Sequence, residues 1–128
     1  MAITEDYVSF ETAKLLKEKG FNEYCKSVYH AGSVCSVISL GYIVEEKQNS
    51  DFGKYDNAIS APTLQMAMKW LRVVYHIAIE TKWEHLWYAY IKPMTSWPFE
   101  KGYEDFQESS KYEYACEAAI LYCLENMI

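Results

Sequence analysis

The chain of 128 residues has room for one domain, whose core can bury roughly two thirds of the unfolded surface. With 51% hydrophobic and 16% aromatic residues it is too apolar for a disordered tail, because burial on that scale can offset chain entropy. Its net charge is −6 and Arg72 is the single arginine among 12 basic residues; with one guanidinium fork to grip phosphate and guanine, a nucleic-acid duplex is not an expected partner.

The opening MAITEDYVSFETAK carries acidic residues where a secretory leader needs basic ones followed by an apolar run, which predicts a cytosolic protein. The run from Val34 to Val44 is broken by Ser36, Ser39 and Gly41, so no membrane partner is expected. In a reducing cytosol Cys25, Cys35, Cys116 and Cys123 are expected as free thiols.

In chain order, Ser9 predicts the cap of a first helix over 9–19, with Val8 stapled on Ala13 and Phe10, Ala13 and Leu16 facing inward. Gly20 supplies a left-handed stop and Phe21 packs back on Leu16, a Schellman ending. Residues 23–46 are rich in valine, isoleucine and tyrosine and turn at Ala31-Gly32, which predicts a hairpin. Its second arm carries apolar side chains on both faces as far as Val44, the pattern of a central strand. Residues 47–59 are polar and turn-forming and predict a surface loop, with Phe52 and Tyr55 as its distinctive residues.

A second helix starts at Ser60 or Thr63 with Pro62 near its first turn, and Leu64, Ala67, Leu71 and Val74 follow at helical spacing. From Tyr75 the period becomes two, with no glycine or proline at the change: Ile77 and Ile79 oppose His76, Ala78 and Glu80. A second strand over 85–93 alternates Leu86, Tyr88 and Tyr90 against Trp87, Ala89 and Ile91, with TKWE at 81–84 as the turn. Residues 93–109 predict an aromatic-bearing loop. A last helix starts at Ser110, with Glu113 at capping-box spacing, and buries Cys116, Ile120, Cys123 and Met127. The result is one α+β domain over 1–128, in the order helix, hairpin, helix, hairpin, helix, its three helices packed on an antiparallel sheet of about four strands.

Little in the sequence points to catalysis. His30, His76 and His85 share no short metal spacing; Cys25, His30 and Cys35 could converge across the first hairpin but lack paired ligands, so no metal is expected. Cys116 and Cys123 on an apolar stripe are expected to act as small hydrophobes. GxSxG, P-loop and GxGxxG motifs are absent, and no catalytic residue or cofactor is assigned.

The aromatics carry the most information: 12 tyrosines, 4 tryptophans and 5 phenylalanines exceed what a small core conveniently hides. Trp83, Trp87, Trp97, Phe99 and Tyr103 gather around the second hairpin and the loop after it, with Lys82, Lys92 and Lys101 available for an anionic group. These eight are the candidate ligand- or partner-binding residues; capping of the core edge or a homodimer interface would account for the same rings.

The segments EDYVSFETAKLLKEKGFNE, APTLQMAMKWLR and YEYACEAAILYCLENMI resemble small uncharacterised phage, prophage and other mobile-element accessory proteins of gut anaerobic bacteria. The resemblance spans the three helices and less of the strands and loops, and carries no catalytic signature. It implies a non-enzymatic protein in a bacterial host cytosol that acts by binding. Its partner would be a host or defence-system protein, or a small anionic ligand such as a signalling nucleotide that it sequesters. A small structural homo-oligomer of phage assembly, or an uncharacterised enzyme, is the alternative. A nucleotide trap should gather aromatics and lysines in a pocket, whereas a protein blocker should present an acidic and aromatic surface.

Overall fold

The computed structural model describes residues 3–53, 57–94 and 105–128, and within them the protein is α+β, as the mixed periodicities predict. The elements fall in two compact units, Met1–Thr63 and Leu64–Ile128. About four antiparallel strands are expected, with the sharing of one sheet by the two hairpins left open; the described residues form two antiparallel sheets of three strands, one hairpin in each.

In the first unit, α1 (Phe10–Glu18) begins where Ser9 Oγ accepts the Thr12 N–H at 3.2 Å. It ends as predicted. Gly20, at φ 98°, donates to the Lys17 carbonyl and Phe21 donates to the Leu16 carbonyl, the two bonds of a Schellman motif, and Leu16 and Phe21 are buried. β1 (Ser27–His30) and β2 (Ser33–Ser36) form the first hairpin around Ala31 and Gly32, at φ 52° and 84°, the type I′ turn that suits the natural strand twist. A short β3 (Ile59–Ser60) pairs with the other edge of β1.

Three expectations fail in this unit: Phe10, expected to face inward with Ala13 and Leu16, is exposed, because that side of α1 is left partly uncovered, and two later segments also differ. The second arm, predicted to reach Val44, stops at Ser36 and passes into a 3-10 turn at Ile38–Leu40. Ser36 Oγ accepts the Ser39 N–H at 3.2 Å and lies 2.8 Å from Ser39 Oγ, a local bond that competes with the strand ladder. Ile43 and Val44 therefore lie exposed.

The predicted surface loop over 47–59 is also partly internal. It contains α2 (Asn49–Phe52), started by a capping box between Gln48 and Asp51. Phe52 is buried with Val28, Val37 and Ala58. Asn49 is buried too: its Nδ2 donates to the Phe21 carbonyl and its Oδ1 accepts the Ser60 N–H, each at 2.9 Å. One side chain thus joins the end of α1 to β3. Tyr55 lies outside the described residues.

In the second unit, α3 (Leu64–Val74) buries Leu64, Ala67, Met68, Trp70 and Leu71. Its direct passage into β4 (Ile77–Trp83) turns on one residue. The Tyr75 N–H closes the helix on the Leu71 carbonyl at 3.0 Å, and His76 then takes φ 56°. Histidine tolerates this left-handed region better than branched side chains do, so it performs the reversal usually left to glycine. The His76 carbonyl accepts the Met94 N–H, tying the join to the end of β5 (Trp87–Pro93).

β4 runs through the predicted TKWE turn: Trp83 pairs with Trp87, and residues 84–86 make the turn with His85 at φ 68°. The stretch assigned to loop over 93–109 ends in a third strand, β6 (Asp105–Ser109), paired with β5. Phe106 is its one apolar residue, so hydrophobic periodicity could not reveal it. α4 (Tyr112–Asn126) starts at Lys111 without a side-chain cap, in place of the predicted Ser110. It buries Cys116, Ile120 and Cys123 as expected, together with Ala115, Ala119 and Leu124, while Met127 is half-buried. α4 packs on β5 and β6, with α3 beside it. Among the described residues no helix is long and apolar enough to cross a membrane.

Candidate functional site

The second sheet has two unlike faces, separated by strand alternation. On the α4 side Ala89 and Ile91 are fully buried, and Trp87 meets Tyr112 edge-on with ring centroids 5.0 Å apart. Gln65 Nε2 donates to the Tyr112 hydroxyl at 2.7 Å, and burial raises that phenol above its ordinary pKa.

The opposite face carries Tyr88, Tyr90 and Phe106. Cross-strand register sets Tyr90 opposite Phe106 and Tyr88 opposite Glu108, while β4 places Lys82 beside Tyr88 and Glu80 beside Tyr90. Tyr88 and Tyr90 stack at 5.9 Å and 17°, and the Phe106 ring lies 5.9 Å from the first and 5.8 Å from the second. Phe106 remains 48% exposed, so the three rings form a platform rather than a sealed core. Partial desolvation and the Glu108 carboxylate, to which the hydroxyl donates, raise the Tyr88 phenol above its usual range.

The structure redistributes the predicted binding residues. Lys82 and Lys92 stand on the platform face, Lys92 opposite Ala78, with Lys82 held by Glu84 at 2.9 Å. Trp87 is half-buried on the α4 side, so it packs the core edge and does not join them. Trp83 shares the parity of Trp87 but lies at the hairpin end, exposed and 5.8 Å from the His85 ring. Trp97, Phe99, Lys101 and Tyr103 lie outside the described residues. Sequence reasoning missed Tyr88, Tyr90 and Phe106 as a group. The alternation over 85–93 held the signal for the two tyrosines, since Trp87, Ala89 and Ile91 form the more apolar set and so take the inward face.

The thiols suit packing rather than nucleophilic chemistry. Burial pushes the Cys25 thiol up to about 11, against a smaller downward pull from Ser60, and pushes Cys123 up to about 12. At neutral pH both are protonated. Cys116 is fully buried and Cys35 half-buried, and none of the four cysteines is in a disulfide. Cys25 bridges to Lys47 and Cys35 pairs with Val28. Among the described residues no three His, Cys, Asp or Glu side chains gather to hold a metal ion.

Compared with known proteins, the chain matches no family model, no curated protein and no solved structure.

Proposed function

We propose that this protein acts by binding, and that the platform of Tyr88, Tyr90 and Phe106 is the surface that meets a protein partner. The observation that supports this is three mutually packed rings on the sheet face turned away from α4, bordered by Lys82 and Lys92 and equally by Glu80 and Glu108. A free anion would be repelled by the two carboxylates, whereas a protein surface presents both signs of charge and can complement all four groups. Tyrosine and phenylalanine at the centre supply contact area at low entropy cost, as binding hot spots do. With the resemblance of its helices to mobile-element accessory proteins, the chain reads as a non-enzymatic blocker of a host or defence-system protein in a bacterial cytosol.

The test replaces Tyr90 with a photo-crosslinking phenylalanine in bacterial cells, identifies the adduct by mass spectrometry, and repeats capture with Tyr90→Ala and Phe106→Ala. A heterologous adduct whose capture falls at least tenfold in both variants supports the reading. Adducts formed solely with a second copy, together with a doubled mass in light scattering, would assign the face to self-association and overturn it.

A further inference from the structure

The first unit holds a separate cleft of about 680 Å³ whose walls include Phe10, Lys17, Tyr29, Gly32, Gly53 and Asn57. Small-molecule sites span roughly 300–1,000 Å³, so the space suits a ligand rather than a few waters. Phe10 and Tyr29 supply its aromatic wall, with centroids 5.5 Å apart and planes at 67°. The Tyr29 hydroxyl donates to the Val8 carbonyl at 2.5 Å, which holds that ring in place. Around it the backbone turns left-handed four times, at Ala31, Gly32, Gly53 and Asn57. A Cβ added at Gly32 or Gly53 would meet nothing within 4 Å, so the bare backbone can be closely approached there.

The described lining of the cleft carries one charge, and it is positive. Acids outnumber bases 18 to 12 overall, yet the charge in that lining is Lys17; Lys14, 5.3 Å above the Phe10 ring, is paired with Glu11 at 4.0 Å. A more open groove of about 800 Å³ beside Tyr24 makes the contrast, because Glu45, Glu46 and Asp51 line it together with Lys26 and Lys47.

We propose that the cleft binds a flat aromatic ring bearing one phosphate or carboxylate. The ring packs against Phe10 and Tyr29, the anion meets the Lys17 ammonium, and Asn57 offers its amide at the rim. This site goes beyond the partner surface of the second unit and shares no residue with it.

The test is a ¹⁵N-HSQC titration of the full chain with adenosine monophosphate, benzoate, uncharged adenosine and inorganic phosphate in turn. The expected result is saturable shifts at the Phe10, Tyr29, Gly32 and Gly53 amides with the nucleotide or with benzoate, which separates a phosphate from a carboxylate ligand. Adenosine and inorganic phosphate bind more weakly. Lys17→Gln, at an exposed position of α1, weakens the charged probe about tenfold and leaves adenosine unchanged. Absence of saturable shifts with both ring-bearing anions, equal binding of inorganic phosphate alone, or indifference to Lys17→Gln would each overturn the assignment.

Discussion

The two sheets are built alike, each an antiparallel hairpin with a third strand, but they are held by different means. Strands of four, four and two residues in the first unit give a short ladder, so single groups do much of the positioning: the Ala31-Gly32 turn, Asn22 accepting the Ser50 N–H, and the buried Asn49. Strands of seven, seven and five residues in the second unit present a continuous face, which α4 covers with an apolar stripe. Where the ladder is short, stability rests on polar braces whose loss leaves partners stranded; where it is long, it rests on apolar area.

Substitutions should expose that difference. Ile120→Ala removes a fully buried side chain from the α4 stripe and is expected to cost about 3–4 kcal/mol in urea unfolding, with faster amide exchange at Ala89 and Ile91. In the first unit Asn49→Leu keeps the branched shape but removes the bonds to the Phe21 carbonyl and from the Ser60 N–H, an expected loss of about 2–3 kcal/mol by the same assay. If Asn49→Leu proved neutral, the distinction between braced and packed sheets would collapse.

Smaller effects sharpen the comparison at the turns. His76→Val forces a β-branched residue to φ 56° and should lower stability by about 1–2 kcal/mol, whereas His76→Gly should be tolerated; thermal melts of the pair separate backbone strain from any contribution of the ring. Alkaline pH supplies a test common to both units, because Cys25 and Cys123 have pKa values raised by folding, to about 11 and about 12. An unfolded thiol ionises near 9 and the folded one does not, so the contribution is complete below that pH and declines as pH rises toward 11–12. Cys123→Ala should flatten the part of the decline between 11 and 12 in a pH series of urea midpoints. Smallest, Ala31→Asn places a residue suited to the type I′ turn and should raise stability by about 0.5–1 kcal/mol.

Much of this molecule is legible in its sequence. The α1 cap and its Schellman ending, the Ala31-Gly32 turn and the buried cysteine stripe of α4 depend on neighbours within a few residues, and such interactions leave a local pattern in the chain. Other features rest on distant partners. Asn49 looks like a loop residue until Phe21 and Ser60 close around it, 28 and 11 positions away in the chain. β6 becomes a strand through its ladder with β5. Trp87 and Tyr88 are adjacent in sequence, yet one packs against Tyr112 and the other joins the platform, because α4 covers one face of the sheet and strand alternation sends neighbours to opposite sides. Capping, turn chemistry and periodicity are local energies and were therefore legible. The selection of partners across the chain, and with it the membership of the candidate site, is non-local and came from the packed structure.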